Sequence, residues 1–263
     1  MRDVIVIGDV HGDGDRLIHA LQRLQLGGED ATWRGGGTGV VMLGDVLDGR
    51  ERGTGEYLSK VGDVDTVRYI EALRASAARS QRGGSVTCLL GNHELMNRGG
   101  MFDYVHRADL ERYGREVKRY QMMSSRGEVG RVLATWKRSH IDNNTLFCHA
   151  GVHTDAADSV RDREDVAAGL PSVSDFHLTE HRQYMTDSFT SEQSTKLRRM
   201  LARCRCRQMM IGHNSVPEIT PMWGGAVVLA DACLSRAYGS SAAMHVACVR
   251  PGGEWDAIDI RLR

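Results

Sequence analysis

Five short apolar runs, each closed by glycine or histidine and then by further polar donors, constrain this chain more than any other feature. Val4–Ile7 runs into Gly8-Asp9-Val10-His11-Gly12, and Val40–Leu43 into Gly44-Asp45-Val46-Leu47-Asp48. Val86–Leu90 runs into Gly91-Asn92-His93-Glu94, Thr145–Cys148 into His149-Ala150-Gly151, and Gln208–Ile211 into Gly212-His213-Asn214. Runs of this length with glycine at the exit read as buried strands. Helical periodicity lies between the first three. Leu17, Ile18, Leu21 and Leu24 mark a helix over about 16–26, and Val67, Ile70, Leu73 and Ala77 mark another over about 65–79. Strand, helix, strand, helix, strand predicts an α/β fold, a sheet covered by helices. Ligands of such sheets bind beyond the carboxyl ends of the strands, where these polar residues fall.

Residues 97–140 are polar and helix-forming, and they sit between two of the polar strand ends. They predict a helical insertion or cap within a single domain over 1–263. Residues 152–191 read as loops and short helices. A basic helix is expected over 194–207, and further strands over 226–229 and 242–249.

Composition excludes more than it selects. The chain has 263 residues, and Lys plus Arg equals Asp plus Glu at 34 each, so charge offers no argument for nucleic acid or a membrane surface as partner. No apolar run approaches the roughly 20 residues of a membrane span, and the N-terminus lacks a secretory pattern. The six cysteines, mostly inside apolar runs, read as reduced thiols. The expectation is an intracellular, cytoplasmic protein of unknown oligomeric state.

The polar strand ends form a donor set: Asp9, His11, Asp45, Asn92, His149 and His213. All offer oxygen or nitrogen, none a thiolate, which suits Mn²⁺, Fe²⁺ or Zn²⁺. Six ligands exceed the need of one ion and suit two divalent metal ions sharing a carboxylate, with Asp45 as the bridge. Such a pair activates a bridging hydroxide as nucleophile and clamps a tetrahedral anion, the chemistry of phosphoester hydrolysis. His93, beside a ligand but not needed as one, is the expected general acid, and Asp48 the carboxylate that orients it. The other histidines lack such a setting and read as structural or surface residues.

Together these motifs resemble the calcineurin-like metallophosphoesterase superfamily. Glu94 is similar to the protein serine/threonine phosphatase branch. Trp33, Gly83-Gly84, Met96-Asn97, Tyr104-Val105 and Asp231–Gly239 resemble the Shewanella-like protein phosphatases. The resemblance implies a two-sheet β-sandwich flanked by helices, with the metals at its edge. Asp9 and His11 would hold one ion, Asn92, His149 and His213 the other. It implies a metal-dependent phosphatase acting on phosphoprotein or phosphorylated small molecules. The alternatives are a dinucleoside polyphosphate or nucleotide hydrolase and a catalytically weak phosphoprotein-binding scaffold. One departure concerns the phosphate clamp. The family usually carries Asp-Arg-Gly where this chain has Asp48-Gly49-Arg50, so Arg50 and Arg52, with Asn92, are the phosphate-binding candidates. A second is Asp103, acidic where Shewanella-like members tend to be basic.

Overall fold

Alternation along each strand sends side chains to two different layers, and this sets the architecture. A computed structural model describes residues 2–239, 241 and 243–261. In β1 (Val4–Ile7), Val4 and Val6 join one apolar cluster while Ile5 and Ile7 join another. In β2 (Gly39–Met42), Val41 faces the first cluster and Val40 and Met42 the second. The shared cluster lies between two five-stranded sheets, and the outer clusters lie between each sheet and its helices.

The first sheet has the order β10-β9-β1-β2-β3. Its members are β1, β2, β3 (Ser85–Cys88), β9 (Ala243–Val249) and β10 (Trp255–Arg261). β1, β2 and β3 are parallel, and β9 and β10 close the edge antiparallel. Helices α1 (Gly14–Arg23) and α2 (Asp63–Ala78) cover its outer face through Leu17, Leu21, Val67, Ile70 and Leu73. Both start two residues earlier than the sequence suggests. α1 also stops early, because Gln25 turns into the left-handed region at φ 56°.

Residues 97–140 contain helices, but short ones. α3 (Asn92–Arg98) begins at the third strand end, followed by α4 (Arg107–Arg112), α5 (Arg115–Met123) and α6 (Glu128–Leu133). Gly100 and Gly114, at φ 80° and 88°, break what reads as one continuous helical stretch. The last two residues of the expected insertion belong instead to β4 (Ser139–Asp142).

The second sheet runs β4-β5-β6-β8-β7, with β5 (Thr145–Cys148), β6 (Gln208–Ile211), β7 (Thr220–Met222) and β8 (Val227–Leu229). Phe147, Met210 and Val228 point into the shared core, while Leu146, Met209 and Leu229 point outward. Short helices α7 (Arg163–Ala167) and α8 (Phe176–Thr179) precede α9 (Ser191–Arg203) on that outer side. α9 starts at a capping box, where Thr190 accepts from Gln193 N and the Gln193 side chain accepts from Thr190 N. The arrangement is the expected two-sheet sandwich flanked by helices.

β4, β7 and β10 were not legible in the sequence. All three are edge strands, and β7 carries Pro221, tolerated because an edge strand leaves one row of N–H groups unpaired. All six cysteines are free thiols. Among the described residues no helix is long and apolar enough to cross a membrane.

Candidate metal centre

The parallel strands β1, β2 and β3 of one sheet and β5, β6 and β8 of the other deliver their carboxyl ends to one edge of the sandwich. Backbone contacts lock these ends together. Asp45 O accepts from Val10 N at 3.0 Å and His11 N at 2.7 Å, joining the first two loops. Asp9 accepts from His213 N, joining the two sheets. The approach is close: a Cβ on Gly8 would lie 2.6 Å from Ala230 O, so only glycine fits. His11, Asp45, Asp48 and His213 all adopt positive φ, between 43° and 71°. Such conformations persist where the surroundings over-determine them and gather at functional sites.

Glu94 does much of this locking. Its buried carboxylate accepts from Asp45 N, Val46 N, Leu47 N and Gly91 N at 2.8–3.1 Å. A residue that reads in the sequence as a family marker thus holds the second and third strand ends against each other. The Asp45 side chain is fixed in turn, because Oδ1 accepts from His93 N at 2.9 Å.

The other Asp45 oxygen is then free to face the site. Oδ2 lies 3.3 Å from His149 Nε2 and 3.9 Å from the Nε2 atoms of His11 and His93. Two donor groups meet on it, His11-Asp45-His93 and Asp45-His149-His213, each with ligand atoms within 4.8 Å of one another. Asp9 stands beside the first group, 3.9 Å from His11 Nε2. All six sequence-predicted ligands are therefore gathered at one place.

Hydrogen bonds fix the ring orientations. His149 Nδ1 donates to Leu43 O at 2.8 Å and His213 Nε2 to Glu180 O at 3.2 Å. Each leaves the other ring nitrogen directed inward. The Asn92 amide oxygen lies 3.1 Å from Asp45 Oδ2, His213 Nδ1 and His149 Nε2. Asp45 Oδ2 and His213 Nδ1 face it as acceptors, and His149 Nε2 does so whenever it carries no proton. Turning the amide would satisfy these contacts with N–H bonds, and a cation among the same lone pairs satisfies them with the oxygen in place. The donor set therefore fits a metal.

The electrostatics agree. Burial acts to raise Asp45, but His149 and His93 overcome it and hold the carboxyl well below the usual carboxylate range. Burial acts to lower His149, yet Asp45 and Asp9 raise it to about 10. The negative field that favours a proton there favours a metal cation equally. His213, buried and facing His149, is lowered to about 3 and stays neutral, as a ligand must.

The predicted pair includes a member of the first donor group, His93. His93 Nδ1 donates to Asp48 Oδ2 at 2.6 Å, and its Nε2 is left toward Asp45. Burial opposes protonation of His93, but Asp45 and Asp48 raise its pKa.

The two candidate arginines part company. Arg52 Nη2 donates to His11 Nδ1 at 3.1 Å, and its guanidinium lies over the Tyr104 and Tyr238 rings, 5.2 and 5.9 Å from their centroids. Its Nε and Nη1 have no hydrogen-bond partner among the described residues. Arg50 points elsewhere, to Asp103 O at 3.3 Å, and is not gathered with the cluster. A different arginine is: Arg182, from the loop after α8, donates to His213 O at 3.1 Å. It lines a cavity of about 370 Å³ with Asp45, Asn92, His93, Tyr104 and Tyr238. Nothing in the mixed polar stretch around Arg182 marks it in the sequence. Asp231 was also missed as a site residue, although it follows β8 in the same way that Asp9 follows β1. It is buried against Asp9, bonds Ser215, and is raised by burial to about 6.

Fold and cluster define a two-sheet sandwich protein with an oxygen-and-nitrogen metal-ligand set at the carboxyl edge of its parallel strands. The chain belongs to the calcineurin-like phosphoesterase family, whose model matches residues 3–213. It is 38% identical over 110 residues, 42% of this chain, to Shewanella-like protein phosphatase 2 of Arabidopsis thaliana, covering 25% of that protein. It is 28% identical over 153 residues, 57% of this chain, to Shewanella-like protein phosphatase 1 of Plasmodium berghei, covering 39% of that one. The matches thus span less than half the length of these curated relatives. A cold-active protein-tyrosine phosphatase of a psychrophile Shewanella species shares the fold, with a TM-score of 0.72 and 19% identity, covering 98% of this chain and 80% of that one.

Proposed function

We propose that this chain is a dinuclear-metal-dependent phosphomonoesterase acting on phosphoproteins. The observation that carries the reading is Asp45 Oδ2, which faces His11, His149 and the Asp48-bonded His93. Asp9 and His11 would hold one ion and Asn92, His149 and His213 the other, with Asp45 shared by both. Bound there, divalent cations such as Mn²⁺, Fe²⁺ or Zn²⁺ supply Lewis acidity and acidify a bound water.

The chain's own residues do the rest. His93 donates the Nε2 proton to the leaving oxygen, and Asp48 holds the ring so that this nitrogen faces inward. Arg52, which bonds His11, and Arg182, which lines the cavity, are the proposed grip on the phosphate oxygens. When His11 Nε2 serves as a ligand, its ring proton sits on Nδ1. Arg52 then loses its acceptor there, which leaves the guanidinium available for a phosphate oxygen. Tyr104, Tyr238 and Met101 are about half exposed around the cavity and offer an apolar rim for the rest of the substrate.

Hydrolysis of a phosphoserine peptide with added Mn²⁺, before and after chelation, tests the reading. The expected result is chelator-sensitive turnover that falls about 10²–10⁴-fold in His93→Asn. Absence of metal-dependent turnover, or unchanged turnover in His93→Asn, overturns it. Preferential cleavage of dinucleoside polyphosphates over phosphopeptides would reassign the substrate.

A further inference from the structure

The proton donor is held from behind by a buried arginine that the proposed reaction does not use. Arg119, on α5, has none of its side chain exposed. Its Nε donates to Asn97 Oδ1 at 2.8 Å. Nη1 and Nη2 grip Asp63 at 3.2 and 2.6 Å, and Nη2 also reaches Asp48 Oδ1 at 3.4 Å. Every one of these partners touches Asp48 or is Asp48. Asn97 Nδ2 donates to Asp48 Oδ1 at 2.9 Å, and Asp63 Oδ2 accepts from Asp48 N at 3.1 Å.

Asp48 therefore has both side-chain oxygens and its N–H assigned. Oδ1 is bound by Asn97 and Arg119, the backbone N–H by Asp63, and Oδ2 is left to His93 Nδ1. This matters because Asp48 sits at φ 71°, which a non-glycine residue holds only under restraint. A guanidinium is the group for such a node. Its planar fork reaches three partners in fixed directions, whereas a lysine ammonium is a single point of charge.

We propose that Arg119 is a positioning residue for proton donation: through Asp48 and Asn97 it fixes the ring of His93, and through it α5 bears on the chemistry. The proposal rests on His93 being the general acid. Arg119 touches neither substrate nor ligand atoms, so its effect should follow the demand for a proton rather than substrate affinity.

Leaving-group dependence reads this directly. 4-Nitrophenyl phosphate releases a weakly basic phenolate that needs little protonation, and phenyl phosphate a more basic one that needs more. In His93→Asn the kcat ratio of the two should widen by about 10-fold or more, a fraction of the full general-acid effect. In Arg119→Lys, which retains the buried charge, the ratio should widen at least threefold in the same direction, with KM within twofold of wild type. The His93 Nδ1 proton resonance, recorded on the metal-free chain, should move upfield or broaden in Arg119→Lys. Equal loss on both substrates, a change confined to KM, or an unmoved resonance overturns the proposal. An unchanged ratio in His93→Asn would instead overturn the general-acid reading. If Arg119→Lys fails to fold, Asn97→Ala keeps every charge and breaks the same bridge to Asp48. The same widened ratio is then expected, and a wild-type ratio refutes the role.

Discussion

Glu94→Gln is the sharpest test of how the site is built. One carboxylate accepts four backbone N–H groups, Oε1 from Val46 and Leu47, Oε2 from Asp45 and Gly91. Glutamine has nearly the same shape but one acceptor oxygen. If that oxygen keeps one pair of bonds, the amide NH₂ confronts the other two N–H groups. Two buried donors left without acceptors cost about 1–3 kcal/mol each, about 2–6 kcal/mol together. The substitution also removes a charge whose burial is unfavourable, for burial and the nearby Asp45 push Glu94 up to about 7. That offset places the net loss at about 2–4 kcal/mol. For a chain of this size the midpoint of thermal unfolding should fall by about 5–15 °C. Circular dichroism melts at pH 8 in the presence of a chelator measure it free of metal linkage. A midpoint within about 2 °C of wild type would refute the claim that Glu94 ties the strand ends together.

Two further predictions concern the network behind His93 and the phosphate clamp. Asp109 is pushed up to about 7 by burial, with the Asp63 carboxylate adding to it. The folded chain thus binds this proton more tightly than the unfolded chain. Stability should fall as pH rises from about 4 to about 7, by at most about 4 kcal/mol, and urea unfolding of Asp109→Asn should show a flatter dependence over that window. Arg52→Ala should lower kcat/KM by about 10-fold or more, the scale of a lost charge-assisted contact, while Arg50→Ala, bonded away from the cluster, should change it less than about threefold. The reverse order in steady-state kinetics would reassign the clamp.

What the sequence made legible was short-range. A short apolar run with glycine or histidine at its exit marks a site-bearing strand, and the polar residues after it mark the site edge. Asp9, His11, Asp45, Asn92, His149 and His213 lie side by side because those strands are parallel neighbours or face each other across the shared core. The edge strands β4, β7 and β10 were obscure because half of each faces solvent, whereas β3, also at an edge, is marked by the unbroken run into Leu89 and Leu90. β10 places Asp256 on the same face as Ile258 and Ile260, which blurs the alternation and leaves a weak signal in isolation. Arg119 was obscure for another reason. It sits in a polar helix and looks solvated, and only its long-range contacts with Asp63 and Asp48 reveal it as buried. Arg182 likewise takes its place from tertiary packing. The displaced arginine at Asp48-Gly49-Arg50, the weak point of the sequence reading, is matched in the structure by Arg52 and Arg182 at the cluster and Arg50 away from it.

The central claim is that Asp45 is shared by two ions. Metal content by elemental analysis, on protein reconstituted with Mn²⁺ and freed of excess by gel filtration, tests it most directly. Two ions per chain are predicted in the wild type, and one or fewer in Asp45→Asn. One ion or none in the wild type, or two retained by Asp45→Asn, would contradict it.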